Sequence, residues 1–300
     1  EDGMDDLMAS KRRNPYLDML KGIACIAVIA MHWSFESEVR AILIAIATRW
    51  TMPVFFAISG YFAWKSDLNS CRRKTVHILK ITICASLIYL TIALLRHVSD
   101  IAGFLRSELS LKNIGAFVVF NSPMVFEKRL WFLYALLYDY LVFWVLTKKG
   151  WIKQSYVFIP LTLAIHFGVA YTSRALDLGI QAGFVRNWMF EGFPCFMFGH
   201  WLHENQARIK DKNPMHWLAA GVALCVVGGG GEYLLFGSAS MHIGSVLAAG
   251  CFMVYAIHAN LDAPALQSGF CGKLSKLGRD LSLPVYIIHP ALIMFFSSII

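Results

Sequence analysis

The sequence predicts an all-α fold: a polytopic transmembrane helix bundle of about nine to ten spans with a cytoplasmic N-terminus. Three observations predict it. The 300-residue chain is 57% hydrophobic and 15% charged, with a mean hydropathy of +0.56, which is too apolar for a soluble domain of this length. Apolar runs near 20 residues recur along it, the length that crosses a hydrocarbon core. The runs are continuous rather than alternating, which disfavours a transmembrane β-barrel.

Taken in order, the runs place spans at 16–34, 41–64, 76–95, 130–147, 153–171, 187–203, 215–236, 242–259 and 282–300. The first has no small-residue cleavage site and continues into aromatic sequence, so it reads as a retained span rather than a signal peptide. The second carries "MPVFFAISGYF" (52–62), in which Pro53, Ser59 and Gly60 suit either a kinked, tightly packed helix or a contact to substrate. The stretch 114–120, "IGAFVVF", is too short to cross and is expected in or on the membrane. Asp139 and His166 fall mid-span in the fourth and fifth runs, where structural polar contacts are the favoured reading. The seventh holds "GGGGEYLLF", whose glycines serve close packing or unwind around a ligand beside Glu232. The ninth ends in "ALIMFFSSII" without a polar flank, so its last helix is expected to be truncated. A single domain over 1–300 results, with 1–13 as a flexible cytoplasmic N-terminus.

Charge sets the orientation. With the N-terminus inside, the inner loops hold Lys11, Arg12, Arg13, Lys65, Arg72, Arg73, Lys74, Lys148, Lys149, Lys153, Arg208, Lys210, Lys212, Lys273, Lys276 and Arg279. The outer loops hold Arg40, Arg96, Arg106, Lys112, Lys128, Arg129, Arg174 and Arg186. This excess follows the positive-inside rule, and it accounts for the net charge of +8 without a nucleic-acid partner. The seven cysteines (25, 71, 84, 195, 225, 251, 271) lie mostly within apolar runs without metal-ligand spacing, and read as buried small hydrophobes. No metal is expected.

Ionisable groups inside spans are costly and mark functional sites by default. "KGIACIAVIAMHW" (21–33) sets Lys21 and His32 eleven helical steps apart, on one face and separated by roughly 16 Å. Asp18 falls within roughly 40° of that face. A neutral imidazole serves as base or proton shuttle near pH 7, although His32 alone also suits a hydrogen bond across the bundle. Lys21 alone also suits snorkelling, or a helix pair with Asp18. Arg186, Asn187 and Glu191 open the sixth run in "RNWMFEGFP", and His289 precedes a helix-kinking proline in "PVYIIHP". Arg72, Arg73 and Lys74, with His77, form a basic cluster that suits either anionic lipid or the phosphates of a nucleotide-like donor.

"NPYLDMLKGIACIAVIAMHW" resembles the first helix of acyltransferase family 3, integral membrane enzymes with a basic residue, ten others and then histidine. "MPVFFAISGYF", "LWFLYALL", "RNWMFEGFPCFMFGHWL" and "LSLPVYIIHP" resemble the same family in the expected order. The resemblance implies transfer of an acyl group, often acetyl, from cytoplasmic acyl-CoA to a hydroxyl of a glycan or lipid-linked envelope acceptor. It implies a bacterial inner membrane location. His32 maps onto the family's catalytic histidine, as base for the acceptor hydroxyl or as carrier of the acyl group, with Lys21 and Asp18 beside it on the route from donor to acceptor. Arg72, Arg73, Lys74 and His77 map onto the donor site, although the family's arginine–two residues–arginine pattern is replaced here by Lys74 with His77. The acceptor side is expected at Glu191, Arg186, Asn187, Trp131, Ser59 and His289. The sixth run also resembles the membrane portion of vancomycin-resistance serine racemases, which implies serine transport as the alternative.

Overall fold

The computed structural model describes residues 14–33, 37–122, 127–180, 182–209, 213–259 and 269–297. Among them every regular element is helical, and seven helices are long and apolar enough to cross a membrane. Each of the nine apolar runs is mainly helical over its described residues. The basic residues Lys11, Arg12, Arg13, Lys210 and Lys212 and the 1–13 segment lie outside the described residues.

Helix α1 (Pro15–His32) begins where it does because Asn14 accepts hydrogen bonds from the Tyr16 and Leu17 amides while Pro15 needs no amide partner. The Asn14 side-chain amide also donates to the Ala256 carbonyl at 2.8 Å, tying this end to the segment that closes α13 (below). The second run is not one helix. It is α2 (Glu38–Thr48) and α3 (Thr51–Tyr61), broken at Arg49–Trp50. Thr48 and Thr51 hydroxyls and the Trp50 indole take carbonyls around the break at 2.7–2.8 Å. Both turn residues keep right-handed dihedrals, so α2 and α3 form one interrupted span, and the interruption lines a cavity.

Helix α4 (Leu68–Arg96) starts at Asp67, whose carboxylate accepts the Ser70 amide at 2.9 Å; hydrogen bonds from Ser70 hold its pKa below the ordinary value. The short α5 (Ile101–Glu108) and α6 (Leu111–Phe120) follow, and ten residues in α6 are too few to cross. Then come α7 (Trp131–Lys149), α8 (Ile152–Ser155), α9 (Phe158–Ala175) and a π-turn, Trp188–Gly192, that leads into α10 (Phe193–Asn205). The seventh run is α11 (Met215–Ala223), a π segment Leu224–Gly229 and α12 (Gly230–Phe236); α13 (Ile243–His258) returns beside it.

The last helix starts before the hydropathy run does. α14 (Gly269–Lys276), a π segment Leu277–Leu281 and α15 (Ser282–Ser297) are continuous, so Lys273, Lys276 and Arg279 are helical rather than loop residues. Their turns are amphipathic, with Leu274 buried, and an apolar-run criterion passes over them. α1 and this helix run in the same direction, since Cys25 meets the Ser282 carbonyl and His32 meets His289.

Two close approaches hold the middle together. At Gly60 a Cβ would lie 1.7 Å from the Phe196 carbonyl oxygen, and at Gly199 one would lie 1.8 Å from that of Ala57. Thus α3 and α10 touch backbone to backbone, and the close-packing reading of "ISGYF" holds. The second approach is between Gly244 and Gly228–Gly229. Glu232 accepts the Ile243 and Gly244 amides at 2.7 Å and the Tyr171 hydroxyl. These glycines pack, and Glu232 caps α13.

Candidate active site

A cavity of about 230 Å³ opens at the His32 end of α1, lined by His32, Thr48, Arg49, Arg129, Trp131, Arg186, Glu191, Ser240 and Tyr286 among others. Each polar group arrives by a local device. The α2–α3 break delivers Arg49. Asn187 accepts the Met189 and Phe190 amides at 2.9 and 3.1 Å and so starts the π-turn, whose wider winding puts Arg186 and Glu191 on the same cavity. His166 holds the Val185 carbonyl at 3.2 Å just before that turn. Asn121 bridges the Trp131 carbonyl and the Trp188 amide, fixing the start of α7 to the π-turn.

His289 sits against this cavity by a chain of consequences from Pro290. Proline has no amide proton, so the Tyr286 carbonyl loses its helical donor. The His289 Nδ1–H takes that carbonyl at 2.7 Å, which leaves Nε2 as the lone-pair nitrogen. Nε2 is buried and has no partner among the described residues. One turn on, the Tyr89 hydroxyl replaces the broken rung, donating to the Ile287 carbonyl at 2.6 Å and accepting the Ala291 amide at 3.1 Å. The His289 ring stacks on His32 with centroids 5.4 Å apart and planes at 23°. Tyr286 donates to the Arg129 carbonyl at 2.5 Å.

Charge in the cavity is largely uncompensated. Glu191 is 1% exposed and both carboxylate oxygens lack a hydrogen-bond partner. Arg186 lies over the Trp131 ring at 5.5 Å. Arg129 pairs with Glu127 at 3.3 Å. Asp139, 0% exposed, also has both oxygens unpartnered, packed where a Cβ on Gly192 would come within 2.5 Å of Oδ2. That differs from the structural polar contact favoured for it from the sequence, because its helix places it opposite a glycine instead of a donor.

A second cavity lies at the opposite end of the bundle. It is an open groove of about 720 Å³ lined by Asp67, Asn69, Arg72, Arg73, Val76, His77 and Lys80, which share a face of α4. Lys74 points elsewhere: its ammonium donates to the Phe62 carbonyl at 2.5 Å and the Ser66 hydroxyl at 2.9 Å, closing the end of α3.

The structure therefore brings together His32, Trp131, Arg186 and Glu191 at one cavity with His289 behind them, and Arg72, Arg73 and His77 at the other. It does not bring the rest. Asp18 and Lys21 pair at 2.8 Å and line neither cavity; their turn packs on the last helix, where a Cβ on Gly278 would lie 1.8 Å from the Asp18 carbonyl oxygen. Ser59 returns its hydroxyl to Phe55 at 2.9 Å, roughly 12 Å along α3 from its cavity-lining end at Thr51. Asn187 shapes the π-turn and is fully buried. Sequence reasoning missed Arg49, Arg129 and Tyr286. Arg49 had a signal, a lone arginine splitting one apolar run; Tyr286 had none beyond its place three residues before His289.

These features define a multi-pass helical membrane protein with a polar, doubly histidine-bearing site among its spans. The family model described as an acyltransferase domain, acyltransferase family 3, matches residues 14–300, and the chain belongs to that family. It is a membrane acyltransferase. No curated protein and no solved structure matches the chain.

Proposed function

We propose that the protein moves an acyl group, acetyl in the simplest case, from acyl-CoA to a hydroxyl of a glycan or other envelope acceptor. The Arg72 groove takes the donor from the cytoplasm and the His32 cavity faces outward to the acceptor, in a bacterial inner membrane. The observation that carries this reading is the stacked His32–His289 pair at a polar cavity in a chain of this family.

The step balances within that pair of substrates. His32 takes the proton of the acceptor hydroxyl as its oxygen attacks the thioester carbonyl carbon. The carbon–sulfur bond breaks, and the CoA thiolate takes the proton back from the imidazolium. His289 orients the His32 ring by stacking, and its own ring is held by the Tyr286 carbonyl. The phosphates of CoA suit charge-assisted hydrogen bonds from Arg72 and Arg73.

The test is labelled acyl-CoA with purified protein in proteoliposomes. His32→Ala is expected to keep acyl-CoA binding while transfer falls by on the order of 10² or more, the scale of a lost general base. Unchanged turnover rejects His32 as the base. Uptake of labelled serine with no acyl product on any acceptor replaces this reading with serine transport.

A further inference from the structure

Resting on the reading of the His32 cavity as the acceptor site, we infer that the acceptor is an anion: a sugar carrying a carboxylate or phosphate within reach of the reacting hydroxyl. Three guanidiniums, Arg49, Arg129 and Arg186, face the cavity, against one lining carboxylate, Glu191. Arg129 is matched by Glu127. Arg49 and Arg186 have no carboxylate at ion-pair distance among the described residues. Arg49 spends its contacts on the Ser238 hydroxyl at 2.9 Å and the Met31 sulfur at 3.5 Å. Its Nε, like the Nε of Arg186, is buried without an acceptor. Glu191 is the carboxylate these two face, yet neither guanidinium comes within ion-pair distance of it.

An uncompensated charge beside lipid costs several kcal/mol, estimates starting at roughly 2.5. Two of them, delivered by a helix break and a π-turn rather than by regular helix, are deliberate placements. Planar guanidinium forks match carboxylate and phosphate geometry two bonds at a time. Arg186 is held over the Trp131 ring, so the same wall offers an anion contact beside an aromatic face for a sugar ring. Glu191 then accepts hydrogen bonds from sugar hydroxyls rather than closing an internal ion pair.

A competing role for these arginines is to stabilise the oxyanion of the transfer step, and it predicts a different kinetic pattern. The experiment compares glucuronate with glucose and glucose 6-phosphate with glucose, both as acyl acceptors and as ligands in calorimetry. The charged partner of each pair is expected to show a KM and Kd about tenfold or more lower, as for hydrogen bonds to charged groups. Arg186→Gln is expected to erase that difference through KM, with Arg186→Lys keeping part of it. Added salt weakens the charged ligand selectively in the unsubstituted protein, which covers the case of a variant that does not fold. A preference for carboxylate over phosphate, or the reverse, identifies the anion. Equal affinity for charged and neutral partners overturns the inference, as does an Arg186→Gln loss in kcat alone that is the same for both. Selective anion binding without acyl transfer would keep the inference and reject the proposed function.

Discussion

The Tyr286 carbonyl, released by a proline four residues later, is what fixes the tautomer of His289. The Tyr89 hydroxyl then carries the helix past the defect. Tyr89→Phe removes both the bond to Ile287 and the bond from Ala291 and leaves two part-buried backbone groups unpaired. It is expected to lower stability by about 1–3 kcal/mol, measured by thermal unfolding in detergent, and to lower acyl transfer through the displaced His289 ring. Stability unchanged from the parent protein would show that water repairs the rung. The histidine-before-proline pair was legible in "IIHP". Tyr89 was not, because its partners lie 198 and 202 residues away and an apolar run says nothing about which helix it meets.

At the scale of elements, hydropathy located the runs and missed their interiors. The run 41–64 is one span interrupted by a turn at Arg49–Trp50, both still right-handed, and one arginine barely alters the mean over a span. The run 282–300 starts at Gly269 because charged residues on one face of α14 lower its apparent hydrophobicity without breaking it. The α3–α10 crossing was half legible, as a small residue at Gly60; that Gly199 meets it could not be read without knowing the pairing. Gly60→Ala and Gly199→Ala each place a methyl group on a carbonyl oxygen with no flexible neighbour to yield. Each is expected to cost about 1–3 kcal/mol or more, seen as a lower unfolding temperature and reduced yield of folded protein. Gly115→Ala, which meets nothing within 4 Å, is the matched control and is expected to be neutral.

At the scale of the whole molecule, two polar cavities lie at opposite ends of one bundle. The His32 cavity is at one, and the Arg72 groove is at the other. Family spacing led to His32, while geometry divides the basic cluster. Neutralising Arg72 and Arg73 is expected to weaken acyl-CoA binding and flatten its salt dependence. Lys74→Met is expected to leave both nearly unchanged and to reduce stability instead, since its ammonium closes the end of α3. Calorimetry at two salt concentrations separates the two sets, and equal effects from all three residues would return Lys74 to the donor site. Asp18 and Lys21 likewise belong to packing against the last helix. Helix periodicity puts residues on a face, but only the neighbouring helix decides what that face is for.

Backbone resting on backbone at Gly60 and Gly199 leaves α3 and α10 little freedom to slide or roll against each other. What remains is a scissor motion about that contact, with the crossing as a fulcrum. α3 begins beside the His32 cavity at Thr51 and ends where Lys74 holds Phe62, and α10 follows Glu191 and ends beside Tyr61, where Gln206 accepts the Tyr61 hydroxyl at 2.7 Å. Spreading the blades at one end spreads them at the other. A pivot of this kind ties the width of the His32 cavity to that of the far ends of the two helices, so that both are expected to widen and narrow together.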